Sequence, residues 1–142
     1  MKNFIILFSL FNIISLSCYS RSLKIMTPNE MILEAREHIK SIKPYEAKVL
    51  HNDRKAFLLD VRSLDDYKMG YIQGAIHIPR GELELRINDL IPSRDTKLIV
   101  YSEKGRLSSL ATYTLLKLGY PNTKNLAGGL EAWQQAGYPI SR

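Results

Sequence analysis

Cysteine is almost absent from this sequence, whose single example, Cys18, lies near the amino terminus. One cysteine excludes an intramolecular disulfide and any metal site built from cysteine thiolates. Histidine is nearly as scarce, since His38, His51 and His77 are far apart and none has a neighbour at a metal-ligand spacing. We therefore expect neither a metal site nor any other cofactor.

Runs of basic residues are also lacking, although the formal net charge is +6 at pH 7. The lysines and arginines are dispersed along the chain, without aromatic residues interleaved among them. This pattern is typical of a solvated surface and argues against a nucleic-acid partner. The length of 142 residues fits one domain, and 45% hydrophobic with 24% charged residues is an ordinary globular composition.

Only the amino terminus has a long apolar run. Residues 4–16 follow a lysine at position 2 and precede small residues, which is the pattern of a secretory signal over residues 1–17. Cys18 directly after this run resembles a bacterial lipoprotein signal, in which the cysteine is lipidated and becomes the first mature residue. Ser15 and Ser17 equally satisfy ordinary signal-peptidase cleavage, and an uncleaved anchor is a third alternative, although the run is shorter than the roughly 20 residues that span a bilayer.

Export to the bacterial cell envelope or periplasm follows from each of these alternatives. The lipid and the uncleaved anchor would in addition hold the protein at the membrane, and we favour that arrangement.

After the signal, residues 18–40 form a spacer and a helix, and residues 41–142 form the main domain. The helix begins at Thr27-Pro28-Asn29-Glu30, which has the residues of a capping box. In the main domain, helical segments alternate with apolar runs of strand length, the clearest being Ala56–Val61 and Lys97–Tyr101. This alternation predicts a parallel sheet covered by helices on both faces, with ligands at the carboxyl ends of the strands.

Two longer stretches identify a family. LLDVRSLDDYKMGYIQGAIHIP at Leu58–Pro79 and NLAGGLEAWQQAGYPI at Asn125–Ile140 resemble the first and the closing signatures of the rhodanese family of sulfurtransferases and its non-enzymatic relatives. Tyr71 and His77 stand where the family usually has histidine and asparagine. The resemblance extends over residues 41–140 and implies a three-layer α/β/α domain with a central, mainly parallel five-stranded sheet.

The resemblance also identifies the loop after Lys97–Tyr101. In active rhodaneses this loop begins with a cysteine, whose thiolate carries a sulfane sulfur as a persulfide while loop amides and a helix amino terminus hold the negative charge. Ser102 stands at the cysteine position, Gly105 at the family's glycine and Leu107 at a frequent arginine. A hydroxyl has a far higher pKa than the roughly 8.5 of a thiol and forms no stable persulfide. We therefore expect no catalytic residue and no sulfurtransferase activity.

What the loop retains is the means to bind an anion. The predicted anion-binding residues are Ser102, Glu103, Lys104, Gly105, Arg106 and Leu107, and the ligand is a small oxyanion or a group on a protein partner. Three residues are expected to support this loop: Asp60, Arg62 and Asp66. Arg62 and Asp66 are four residues apart, which predicts that they pair.

Two enzymatic alternatives stay open. One is sulfur transfer by an atypical route. The other is weak hydrolysis by Ser102 with His77 and Asp60, which are the residue types of a hydrolase triad. No Gly-x-Ser-x-Gly nucleophile elbow accompanies Ser102, which argues against the second alternative.

Overall fold

The computed structural model describes residues 25–142, so the predicted signal segment and the predicted lipidation at Cys18 lie outside the described residues. Strands and helices alternate along the described chain. In order they are α1 (Pro28–His38), β1 (Lys40–Ile42), α2 (Pro44–Asn52), β2 (Phe57–Asp60), α3 (Leu64–Met69), β3 (Ile76–His77), a 3₁₀ turn (Arg80–Glu82), α4 (Leu83–Leu90), β4 (Leu98–Tyr101), α5 (Arg106–Lys117), β5 (Thr123–Leu126) and α6 (Gly129–Gln135).

The five strands form one sheet in the order β1-β5-β4-β2-β3, and every neighbouring pair is parallel. Parallel neighbours require crossover connections, and the helices between the strands supply them. The structure confirms the predicted α/β class and the parallel five-stranded sheet.

Alternation along the two central strands builds a core on each face of the sheet. Leu59 and Val100 pack into a cluster with residues of α4 and α5, whereas Leu58 and Ile99 pack into a second cluster with residues of α2 and α6. Successive side chains of a strand point to opposite faces, so a strand buried on both faces is apolar throughout. Helices therefore cover both faces, which gives the three layers.

Helix α1 packs against the domain. Its start is the predicted capping box, in which the Thr27 amide donates to Glu30 Oε2 at 2.7 Å and the Glu30 amide donates to Thr27 Oγ1 at 3.3 Å. Near its carboxyl end, the His38 ring stacks on Tyr113 of α5 with 5.1 Å between centroids. None of the helices between residues 25 and 142 combines the length and apolar character needed to cross a bilayer.

Strand β1 was not predicted from the sequence. It has only three residues, too few to show a strand period, and it lies directly between two helices. Its pairing with β5, where Ile42 is level with Leu126, places it at one edge of the sheet.

Candidate active-site loop

The carboxyl ends of the central strands meet at one edge of the sheet. Asp60 at the end of β2 is level with Tyr101 at the end of β4 and with His77 at the end of β3. The chain therefore continues from adjacent strands into the segment at Arg62 and into the loop at Ser102. This confirms that the segments singled out in the sequence share the edge where parallel sheets bind ligands.

Ser102 lies beneath its loop with its hydroxyl directed inward. The residue is 3% exposed, and its Oγ accepts a hydrogen bond from the Ser108 amide at 3.2 Å. The Ser102 hydroxyl is 3.1 Å from Ser108 Oγ, whose own hydroxyl is 2.7 Å from Asn125 Oδ1. A carbonyl oxygen only accepts, so Ser108 donates to Asn125 and Ser102 donates to Ser108. The serine hydroxyl at the strand end thus both donates and accepts a hydrogen bond within the protein.

Helix α6 fixes the backbone of the same loop. The Leu130 amide donates to the Ser102 carbonyl at 2.9 Å, and the Glu131 amide donates to the Glu103 carbonyl at 3.0 Å. This contact requires Gly129, whose φ is +63° and whose hydrogen faces the loop, because a Cβ there would collide with the Ser102 carbonyl oxygen. The paired glycines of the closing signature therefore bring α6 into contact with the loop.

The remaining backbone amides of the loop are unpaired in the described chain. Within the described chain, no protein group accepts a hydrogen bond from the backbone amides of residues 103–107. Gly105 precedes α5 with φ +77°, a left-handed conformation that turns the loop into the first turn of the helix. Consecutive unpaired amides at a helix amino terminus are the donor groups with which proteins commonly bind anions.

Arg62 supports the loop from the neighbouring strand end. It is 5% exposed, and its guanidinium donates to both oxygens of Asp60, with Nη2 2.7 Å from Oδ2. A further bond from Nη2 reaches the Gly70 carbonyl at 2.6 Å, and Nη1 reaches Glu103 Oε2 at 3.1 Å. Burial opposes the charged form, but the bonds and the charge of Asp60 outweigh it and raise the pKa of Arg62 above its ordinary value.

The predicted pairing of Arg62 with Asp66 is wrong. Ser63 is the N-cap of α3, so Arg62 lies outside the helix and its side chain turns back toward the sheet, where Asp60 binds it. The spacing rule for side chains four residues apart applies within a helix. Asp66 instead completes the cap, since the Ser63 hydroxyl donates to its Oδ2 at 2.6 Å and its amide donates to Ser63 Oγ at 3.2 Å.

Both basic and acidic side chains line the surface above the loop. The surface depression above it has a volume of about 480 Å³. Its lining residues are Arg62, Ser63, Asp66, Ser102, Glu103, Lys104, Arg106 and Leu107. Arg106 also donates to Asn29 Oδ1 of α1, and Leu107 is 39% exposed. Five of the six predicted residues of the loop thus line the depression, with Glu103 held against Arg62, whereas Gly105 is buried beneath it.

The three residues of the hydrolase alternative each have other partners. The Ser102 hydroxyl donates to Ser108, Asp60 accepts from Arg62, and His77 Nε2 lies 3.0 Å from the Arg62 carbonyl. Because a carbonyl only accepts, the Nε2 of His77 carries the proton. Among residues 25–142 no hydrogen bond joins His77 to Ser102 or to Asp60, so the structure does not form a triad.

Two departures from the family signatures have a structural explanation. The rings of Tyr71 and His77 both stack on Tyr67, with centroid distances of 4.2 and 4.3 Å. Burial and the neighbouring Tyr71 raise the pKa of Tyr67 above its usual value. Such rings gain from offset stacking, so the two unusual residues pack as a unit beside the site.

Ser108 and Asn125 were missed at the sequence level. Ser108 lies six residues beyond Ser102 and contacts it because α5 begins directly after the loop, whereas Asn125, 23 residues beyond, comes near only when β5 pairs with β4. The sequence offers one indication of this contact: Asn125 is a polar residue within a mostly buried strand, where a side-chain amide needs a hydrogen-bond partner. Within residues 25–142, no group of histidine, cysteine, aspartate and glutamate is arranged to hold a metal.

Comparison with known proteins agrees with this geometry. Residues 43–136 match the model of the rhodanese-like domain. The chain belongs to the rhodanese-like domain family. It is similar to the thiosulfate sulfurtransferase PspE of Escherichia coli, with 38% identity over 73 residues that make up 51% of this chain and 69% of PspE.

Two further similar proteins are larger than this chain. The YrkF protein of Bacillus subtilis is 34% identical over 93 residues, which is 66% of this chain and about half (49%) of YrkF. The solved structure of a thiosulfate sulfurtransferase from Pseudomonas aeruginosa is 33% identical, with a TM-score of 0.69 over 81% of this chain and 22% of that one. This chain therefore has the rhodanese fold, and sulfurtransferases are among its homologues.

Proposed function

We propose that this rhodanese-like protein has lost sulfurtransferase activity and uses the loop at residues 102–107 to bind an anion. The proposal rests on the hydrogen bonding of this loop. Its amides at residues 103–107 have no acceptor in the described chain, while the hydroxyl at the strand end is occupied by Ser108. The loop therefore has donors for a ligand but no nucleophile.

The loss of activity follows from the chemistry of Ser102. Sulfur transfer by the family mechanism requires a thiolate that forms a sulfur–sulfur bond, and residues 25–142 contain no cysteine. The side chain that begins the loop is instead a serine that donates to another serine. In our proposal, Ser102 replaces the catalytic cysteine of active relatives and maintains the shape of the loop.

The proposed ligand is an oxyanion, either free or displayed as an acidic group by a partner protein. The unpaired amides supply hydrogen bonds, and Lys104 and Arg106 add positive charge at the rim. Glu103 would oppose an anion, but its contact with Arg62 at 3.1 Å offsets part of its charge. Such a site favours small, compact anions over apolar molecules.

The site of action in this proposal is the cell envelope, with the protein attached to the membrane through a lipid on Cys18. The support is the order of lysine, apolar run, small residues and cysteine in the first 18 residues. Mass spectrometry of protein extracted from membranes tests this part. A mature chain that begins at an unmodified Cys18 or later would contradict lipidation.

Activity is tested by sulfur transfer from thiosulfate to cyanide, measured as thiocyanate. The protein is expected to give no thiocyanate above the protein-free rate, and Ser102→Cys is expected to give a measurable rate. A thiocyanate rate of the unmodified protein that is above the protein-free rate and comparable to that of Ser102→Cys would overturn the loss of activity. If both are inactive, the loss extends beyond the nucleophile to the loop itself, where Leu107 is the first residue to test.

Binding is tested separately by titrating sulfate into ¹⁵N-labelled protein. The amide signals of residues 103–107 are expected to shift in a saturable way. Lys104→Gln should weaken sulfate binding several-fold, and Lys68→Gln, an exposed lysine on α3, should leave it unchanged. Shifts spread evenly over the surface would contradict a site at this loop.

A further inference from the structure

The opposite edge of the sheet has a second pocket, at the amino ends of the strands. Its volume is about 310 Å³. The lining residues are Lys40, Leu50, Ala56, Lys97, Leu98, Ile99, Pro121, Asn122, Thr123 and Lys124. All of them except Leu50 of α2 lie at the start of a strand or within two residues of one, so this pocket lies at the other end of the strands from Ser102.

Three lysines reach this pocket from the same face of the sheet. Lys40, Lys97 and Lys124 stand two residues before Ile42, Ile99 and Leu126 respectively. Those three apolar residues belong to the cluster beneath α2 and α6. Because side chains two residues apart in a strand share a face, all three lysines emerge just beyond the end of this apolar cluster.

The charge of these lysines is not balanced within the described chain. Lys40 and Lys124 are level with each other on the neighbouring strands β1 and β5, where like charges repel. No carboxylate lines the pocket, and none of the three lysines forms a salt bridge with another residue of the described chain. A bound anion would remove this repulsion.

Part of the pocket lining is apolar. Leu50 of α2 is half-buried, and Ala56 and Ile99 of the same cluster line the pocket with it, so these three residues are called the apolar floor. An apolar floor under a rim of like charges suits a ligand with both characters, since burying the body adds to the attraction between charges.

We infer that this lysine pocket binds a small organic anion with two or more negative charges and a short apolar body. The site is independent of the loop at Ser102, and the inference does not rest on the proposed function. A dicarboxylate matches the arrangement because its two charges can each approach a lysine while its methylene chain covers the apolar floor.

The test uses adipate as the probe, with the full chain labelled with ¹⁵N at low ionic strength. Adipate is expected to shift the amide signals of Leu98, Asn122 and Lys124 in a saturable way, whereas uncharged adipamide should not. Lys124→Gln should weaken adipate binding about tenfold, because it removes the central charge of the three. Lys68→Gln is the matched control, because Lys68 is exposed on α3, which follows the carboxyl end of β2 at the opposite end of the sheet.

Three results would overturn the inference. The first is equal binding of adipamide and adipate, the second is undiminished binding of adipate by Lys124→Gln, and the third is a set of shifts confined to residues 103–107. The last result would place the dicarboxylate at the Ser102 loop, so it would support the proposed function while excluding the lysine pocket. Failure of sulfate at the Ser102 loop would leave the lysine pocket unaffected.

Discussion

The amide of Ser108 donates a hydrogen bond to Ser102 Oγ at 3.2 Å, so Ser102, although Gly105 is the N-cap residue, caps one amide in the first turn of α5. Ser108 is the third residue of α5, and the first amides of a helix have no partner within it. A serine oxygen is a strong acceptor for such an amide. Ser102 therefore has a structural role in this chain.

Replacing Ser102 with alanine should destabilise the protein by about 1–2 kcal/mol, because the Ser108 amide and hydroxyl lose a buried partner. Urea unfolding at neutral pH measures the change. Ser41→Ala on the exposed edge strand is the matched control and should change the free energy of unfolding by less than about 0.5 kcal/mol. Equal stability of the two variants would mean that Ser102 does not cap α5.

Arg62→Met should destabilise the protein by about 3–5 kcal/mol, since it leaves the buried Asp60 carboxylate without its partner. The double variant Asp60→Asn with Arg62→Met should be more stable than Arg62→Met alone, because no buried charge is left unpaired. Thermal or urea unfolding of each variant measures this.

The control for Arg62 is Arg86→Met. Arg86 pairs with Glu82 at 2.7 Å, but both side chains are about half exposed, so its loss should change the free energy of unfolding by less than about 0.5 kcal/mol. A similar loss for the two methionine variants would contradict the structural role of the buried pair.

Gly129→Ala should destabilise the protein by about 3 kcal/mol or more, because a left-handed backbone and a collision with the Ser102 carbonyl act together. Gly119→Ala is the matched control. Gly119 has φ +86°, and no atom lies within 4 Å of the position that an alanine Cβ would take, so only the backbone cost of about 1–2 kcal/mol applies. If the two variants lose equal stability, α6 does not pack on the loop as described.

Stability should fall as the pH rises above about 10, in part because of Tyr101. Burial, and then the charge of Asp60, raises the pKa of this phenol above its ordinary value of 10.0. The unfolded chain therefore loses the proton first, so the stabilisation is present below pH 10 and is lost as the pH rises toward the folded-state pKa.

Urea unfolding between about pH 9 and 11 tests this dependence. Tyr101→Phe removes the bond to the Ile72 amide and should be less stable at neutral pH, but it should lose less stability than the unmodified chain as the pH rises. Tyr45→Phe, whose side chain is 68% exposed, should follow the unmodified chain. Parallel curves for all three proteins would contradict the shift at Tyr101.

Much of the fold could be predicted from local patterns. The apolar runs at β2 and β4, the capping box at Thr27 and the glycines that end turns are all signals carried by neighbouring residues. Strand β1 was missed because three residues cannot show a period, and its place depends on pairing with β5. Elements defined by long-range pairing are those that a local pattern cannot reveal.

The same division applies to the site. The sequence by itself determined the alternation of strands and helices, the position of the loop after β4 and the absence of a thiol from residues 25–142. Only the tertiary structure decided that Arg62 binds Asp60 and not Asp66, that Ser102 faces Ser108 and Asn125, and that three lysines share one pocket. The physical reason is that hydrogen bonds and charge contacts depend on side-chain direction and on strand register, which arise when distant segments pack together.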